Sequence, residues 1–298
     1  MTEVLLATCP ELPQGEPGGH LVVEELAARG LSAAWASWDD LEVDWSAARL
    51  VAVRSTWDYE FRRKQFLDWA REVEAVTRLV SSSKVLAWNT DKIYLLDLVE
   101  AGLPVVPTLA AEDESELPPA IAAFETAVVK PRVGAGGRGV VVFDGQPGGP
   151  EGLDESQLDI GPWVVQPLVE SVRTEGETSV FVIGGQVVSQ VRKRPGGEEI
   201  RVHESYGGRT DAVEVTQEAQ ALALRTIAVA EGVLGAPLSY ARVDMMRMPD
   251  GQLALSELEA AEPGLYLDHV PDNAAAYADV LAGLLGVPTT KAAGERCR

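Results

Sequence analysis

The sequence predicts an α/β protein, and three observations carry that expectation. Strand and helix signals alternate through the first third, β signals dominate from Thr126 onward, and one long Ala/Leu-rich helical stretch interrupts them. At 298 residues the chain can bury a full core and make two or three lobes.

The elements follow in order. Val4–Ala7 reads as a buried strand, Leu21–Arg29 as a helix stopped by Gly30, and Ala33–Ser37 as a second strand. Arg49–Val53 is a third apolar run, and Gln65–Val76 is a helix carrying Phe66, Leu67, Trp69 and Ala70. This βαβ rhythm implies a parallel sheet whose ligand groups gather at the carboxyl ends of its strands. Asn89, Thr90 and Asp91 are good caps for a helix through Ile93, Leu95, Leu96 and Val99, ending at Gly102 before Pro104. The acidic stretch Ala110–Pro119 reads as a surface connection or the start of a helix. Thr126–Lys130, Val140–Phe143, Trp163–Gln166, Thr178–Ile183 and Gln186–Val191 read as strands, with Gln146–Pro150 as a Gly/Pro loop. Thr216 can cap the Ala/Leu helix, which Gly235 and Pro237 end. Ala241–Met246 and Leu253–Glu257 are strands joined by the turn Pro249-Asp250-Gly251, and the tail after Pro288 reads as loose.

Composition excludes several function classes. A net charge of −21 opposes general nucleic-acid binding, which depends on neutralising phosphates. No apolar run is long enough to cross a bilayer, and the acidic Glu3 sits where a signal peptide wants a basic residue; a cytoplasmic location is expected. Cys9 and Cys297 form neither a disulfide framework nor metal-ligand spacing, and three histidines (His20, His203, His269) make a histidine-built zinc site a poor fit. A polyanionic ligand would need local convergence of the few cations, with divalent ions bridging phosphate to carboxylate.

Two clusters carry chemistry. In Val128-Val129-Lys130-Pro131-Arg132-Val133-Gly134-Ala135-Gly136-Gly137-Arg138-Gly139-Val140, a buried-looking strand delivers a lysine to a glycine-rich turn. Backbone N–H groups at such a turn can approach a polyanion closely, and Lys130 and Arg138 add charge. The turn lacks the Gly-Lys-Ser/Thr of a phosphate loop and the spacing of a dinucleotide fold, and alone it could be an ordinary hairpin. The second cluster is Arg242-Val243-Asp244 with Glu257-Leu258-Glu259. Residues two apart on a strand share a face, so Glu257 and Glu259 point together, and Asp244 joins them if the strands pair across Pro249–Gly251. Three carboxylates together call for a cation, and oxygen-only ligands favour Mg²⁺; a solvated, alternately charged strand face is the alternative.

In this order and separation the two clusters resemble the ATP-grasp family, which includes glutathione synthetase and D-alanine–D-alanine ligase. The resemblance spans roughly Asn89 to Asp268. It implies an ATP-grasp fold: a substrate-binding N-terminal parallel α/β domain (1–84), a central nucleotide lobe with the glycine-rich loop (85–184) and a C-terminal lobe for metal and substrate (185–298), the last two sandwiching ATP. It implies that Lys92 and Lys130 hold the α- and β-phosphates and that Gly134, Gly136, Gly137, Arg138 and Gly139 close over the triphosphate. The backbone at Gln166 and Leu168 would read adenine, and Glu177 would grip the ribose. Arg242 and Lys130 would act on the transferred phosphoryl group. Asp244, Glu257 and Glu259 would hold Mg²⁺, with Mn²⁺ as a substitute. Glu259 departs from the family pattern, which has asparagine there; it changes the charge of the site and could reach substrate instead. Arg192, Lys193 and Arg194 form a basic run that could be a solvated face or a phosphate or substrate contact.

The substrate end is expected at Arg54-Ser55-Thr56-Trp57-Asp58-Tyr59, at a strand's carboxyl end. Arg54 could fork onto a carboxylate and Asp58 could meet an ammonium group, while Trp57 and Tyr59 could equally be packing. Glu16-Pro17-Gly18-Gly19-His20 could line the same crevice, and Arg201–Arg209, with His203, Tyr206 and Gly207, could be a lid. Arg54–Tyr59, the Trp88–Lys92 segment and the chain length resemble a narrower branch of the family, the O-ureido-D-serine cyclo-ligases that form cycloserine. That resemblance implies activation of a small amino-acid carboxylate as an acyl phosphate, then ring closure with release of carbon dioxide and ammonia. An intermolecular carboxylate–amine ligase and a non-catalytic nucleotide-binding protein are the alternatives, and a homo-oligomeric state stays open.

Overall fold

The computed structural model describes residues 2–144, 161–197 and 199–288; the expected Gln146–Pro150 loop and the tail after Pro288 lie outside the described residues. Three sheets organise the chain. Strands β1 (Val4–Thr8), β2 (Ala33–Ser37), β3 (Leu50–Ser55) and β4 (Arg78–Val80) form an all-parallel sheet in the order β2-β1-β3-β4. Helix α1 (His20–Ala28) covers one face through Val22 and Leu26, against Val4 and Leu6. On the other face α2 (Arg63–Val76) packs Phe66 and Trp69 against Trp38, with Tyr59 stacked on Phe66 at 5.2 Å. The strand order changes direction between β1 and β3, so a crevice opens beyond their carboxyl ends, at Thr8 and Ser55.

The second sheet is antiparallel: β5 (Leu109–Ala111), β8 (Trp163–Pro167), β6 (Thr126–Pro131) and β7 (Val141–Asp144), in that order, backed by α5 (Leu117–Ile121). The acidic stretch expected as a connection or the start of a helix opens with an edge strand and leads into a short helix. Leu117 and Ala120 supply its buried face despite the surrounding charge. The helix predicted past Asn89 is α4 (Tyr94–Glu100), and a separate helix that the sequence did not suggest, α3 (Ser83–Asn89), precedes it. Ser82 caps α3, accepting from the Val85 N–H, and Asp91 turns the chain between the two by accepting from the Ile93 N–H. Asn89 is buried because its side chain bonds the Leu258, Ala260 and Ala261 backbone.

The third sheet runs β11 (Arg209–Val213), β10 (Gln186–Arg194), β9 (Glu177–Ile183), β12 (Tyr240–Arg247), β13 (Leu253–Glu259), all antiparallel. Alternation splits its two faces. Val180, Val182, Ala241, Val243, Met245, Leu255 and Leu258 bury one face under α7 (Gln217–Leu234), which Thr216 caps and Gly235 ends in a left-handed conformation. On the opposite face Phe181, Ile183 and Tyr240 meet α8 (Asp272–Leu284), a helix absent from the sequence reading. Further along that face the side chains turn polar. Among the described residues no helix is long and apolar enough to cross a membrane.

Candidate active site

The carboxylate trio depends on a bulge. Asp244 pairs with Glu257 but the next residue, Met245, pairs with Leu255, so Ser256 is an extra residue on β13. Without it, strict alternation would put Leu255 on the same face as Glu257. With it, Leu255 and Leu258 both enter the core while Glu257 and Glu259 face a cavity. Asp244, Glu257 and Glu259 each offer an oxygen within 4.8 Å of the others. Ser256, itself buried, donates to Glu177 at 3.2 Å.

The chain's own cations neutralise this acid. Arg242 donates to both Asp244 oxygens (2.9 and 3.2 Å from Nε) and to Glu259. Lys193 bridges Glu177 at 2.5 Å and Asp244 at 3.2 Å. Lys92 lies 3.1 Å from Glu257 and donates to the Gly134 carbonyl at 2.9 Å. Burial pushes the Asp244 carboxyl up, but Arg242 and Lys193 override it and hold Asp244 well below the usual range. Glu257 is lowered too, because Lys92 and Lys130 outweigh its burial. Glu259 goes the other way: burial, then the Asp244 and Glu257 charges, push it up to about 7 against Arg242. Burial also lowers the Lys130 ammonium, which Glu257 and Glu177 restore only in part. Among the described residues no carboxylate lies within ion-pair distance of Lys130, whereas the other three cations are paired.

These residues open onto one cavity of about 760 Å³ between the three sheets. Lys92, Lys130, Gly134, Gly136, Gly137, Arg138, Gln166, Leu168, Glu177, Arg242 and the acid trio all line it. Gly139 does not line it; its φ of 67° serves the turn back into β7. Arg138 is half-exposed and pairs with Glu60, whose carboxylate also accepts from the Ala135 N–H at 2.6 Å. The Leu168 N–H is already donated to the Thr126 carbonyl at 2.8 Å, and the Gln166 side chain donates to Thr108 at 2.9 Å. Hard oxygen donors this close fit a small divalent cation such as Mg²⁺, with Arg242 and Lys92 yielding their contacts to it.

The substrate stretch divides. Trp57 and Tyr59 line the cavity, as do His203 and Tyr206 of the 201–206 segment. Burial and the neighbouring Lys193 lower His203. Arg54 does not reach the cavity. It is 0% exposed, bonds Glu16 and the Pro263 carbonyl (3.0 Å), and lies 5.1 and 4.9 Å from the Tyr240 and Tyr277 rings. Strand β3 runs on to Ser55, so Arg54 points into the interface beneath the crevice rather than out of it. Ser55 and Thr56 are likewise buried away from the cavity, Ser55 accepting from the Glu16 N–H at 3.0 Å. Asp58 is taken by Trp38 (2.7 Å) and Arg62, so it offers nothing to an ammonium group. Gly207, with φ of 80°, ends a turn outside the lining.

Of the remaining lining residues, Glu262 and Tyr266 were not singled out from sequence, whereas Lys193, Glu16 and Pro17 belong to stretches the sequence did offer. Lys193 is the buried member of the basic run, while Arg194 pairs outward with Asp211 at 3.1 Å. A two-residue period is the signal that separates them. Glu262 and Tyr266 follow β13 into the cavity, and Glu16, held by Arg54, lines it with Pro17 while Gly18, Gly19 and His20 do not.

The chain is similar to known proteins over most of its length. Residues 4–81 match the family model described as D-cycloserine synthetase DcsG, N-terminal domain. Residues 91–235 match that of the prokaryotic glutathione synthetase ATP-grasp domain. The cycloserine biosynthesis protein DcsG of Streptomyces lavendulae is 31% identical over 276 residues, 88% of this chain and 91% of that protein. The tetrahydromethanopterin:alpha-L-glutamate ligase of Methanocaldococcus jannaschii is 35% identical over 153 residues, half of each chain. The crystal structure of D-cycloserine synthetase DcsG superposes with a TM-score of 0.84 at 29% identity, covering 95% of this chain and 99% of that one.

Proposed function

Because the chain belongs to the ATP-grasp ligases, in the family of the cycloserine biosynthesis protein DcsG, we propose that it cyclises O-ureido-D-serine to D-cycloserine. As a family member it is an ATP-dependent ligase that forms C–N bonds. The observation that carries the finer reading is one cavity shared by Lys130, the glycine-rich turn, the acid trio and the N-terminal Trp57 and Tyr59.

In this reading Lys92 and Lys130 hold the triphosphate, with the turn's N–H groups around it. Lys130, with no carboxylate at ion-pair distance among the described residues, can direct its charge at phosphate. Asp244, Glu257 and Glu259 would hold Mg²⁺, or Mn²⁺ in its stead, which when bound would supply positive charge to the phosphate oxygens. The substrate carboxylate attacks the γ-phosphorus, ADP leaves, and Arg242 steadies the charge on the transferring group. The ureido nitrogen bound to oxygen then attacks the acyl carbon, losing its proton as inorganic phosphate departs. Hydrolysis of the N-carbamoyl group, consuming one water, releases CO₂ and NH₃. Attacker and acyl group belong to one molecule, so orientation within the cavity replaces an encounter. The 201–206 segment and the glycine-rich turn line the cavity, and in this reading they close over it to keep water from the acyl phosphate until the ring closes.

Intermolecular amide ligation is the second reading, supported by the likeness to the methanopterin ligase. Purified protein with ATP, Mg²⁺ and O-ureido-D-serine separates the two. Ring closure yields one ADP, one NH₃ and D-cycloserine per substrate with no added amine. ADP release that requires a second amino compound would overturn it.

A further inference from the structure

One wall of the cavity carries a carboxylate that the chemistry above does not use. Glu262 is 9% exposed and lines the cavity three residues beyond Glu259. The cations near it are already engaged: Arg54 by Glu16, Lys92 by Glu257, and Arg242 by Asp244 and Glu259. Its hydrogen-bond partner is the Tyr59 hydroxyl, a neutral group. A carboxylate buried this way is costly unless a cation joins it.

The surroundings suit a small cation. The Trp57 indole donates to the Glu262 carbonyl at 3.2 Å, which pins its ring at the same corner. An ammonium group over the face of an aromatic ring there would gain cation–π attraction besides the carboxylate. Gly264 borders the same corner: a β-carbon built on it would lie 3.4 Å from Trp57 Cζ2 and 3.6 Å from Glu16 Oε2, ordinary contact distances.

We infer that Glu262 is the counter-ion of the substrate's α-ammonium group, held in the corner walled by Trp57, Tyr59 and Gly264. The inference rests on the amino-acid substrate proposed above and takes over the role that the sequence suggested for Asp58. With the ammonium anchored at Glu262, the substrate carboxylate extends toward the phosphoryl-transfer residues on β12 and β13.

The test compares O-ureido-D-serine with 3-(ureidooxy)propanoate, the same molecule without its α-amino group, in wild-type protein and in Glu262→Gln. Expected for the wild type is a KM about 30-fold or more higher for the amine-free compound. Glu262→Gln should raise KM for O-ureido-D-serine by a similar factor, leave KM for ATP unchanged and abolish the discrimination between the two compounds. An unchanged KM in Glu262→Gln, with the wild type active, overturns the inference alone. So does a fall in kcat at unchanged KM, which would mark Glu262 as a proton acceptor. A wild type that releases no ADP with O-ureido-D-serine removes the cyclisation reading, and this inference with it.

Discussion

The Glu60 carboxylate accepts a hydrogen bond from the Ala135 backbone N–H at 2.6 Å, so a side chain near the parallel sheet occupies a donor of the glycine-rich turn. The same carboxylate pairs with Arg138. A triphosphate needing that N–H and that guanidinium must displace Glu60. Glu60→Gln should therefore tighten ATP binding, by about 3- to 10-fold for one competing charge-assisted contact. Calorimetric titration with ATP and Mg²⁺ reads this, and weaker binding would contradict it.

Glu257→Gln should leave the fold intact and lower ADP release by about 100-fold or more. Glu257 is partly open to the cavity and its partner Lys92 keeps the Gly134 carbonyl. Far-UV circular dichroism checks the fold. Full ADP release would remove Glu257 from the metal site.

Asp244→Asn should behave differently. Asp244 is 1% exposed and holds two cations, Arg242 and Lys193. Removing one partner of such a buried network costs about 3–5 kcal/mol. Urea unfolding should show that loss for Asp244→Asn and little for Glu257→Gln.

Arg54→Ala should also cost about 3–5 kcal/mol, since it strands the buried Glu16 carboxylate. A residue forked onto substrate would instead raise KM and leave the unfolding midpoint alone. Paired urea and kinetic measurements distinguish the two.

Stability of the metal-free protein should fall as pH rises from about 5 to 8. Burial raises Glu262 to about 8, with Glu259 adding to it, and burial raises Glu259 to about 7. Over that window the native state binds protons that the unfolded chain, titrating near 4.5, has released, so unfolding becomes easier. Asp244, held low, contributes above about 3.8 and is constant across the window. Thermal melts at pH 5, 6.5 and 8 read the slope, and a rising midpoint would refute it.

Much of the fold was legible because alternation is a local signal. Val243, Met245 and Leu258 announced a buried face, and Asp244, Glu257 and Glu259 the opposite one. The Ser256 bulge was not legible, since an extra residue is defined by pairing rather than by type. Arg54 misled for a related reason. Position at a strand end says nothing about whether a side chain points outward, and its partner Glu16 lies 38 residues earlier. Lys193 hid in a run of three cations until β10 fixed which of them turns inward. Helix α8 was overlooked although Asp272 opens it directly after Pro271.

Lys92, Lys193 and Arg242 balance Asp244, Glu257 and Glu259 with ion pairs of the chain's own. If those carboxylates hold the ion proposed above, assembly of the polypeptide and loading with metal are separate events, unlike small zinc domains, where they are one.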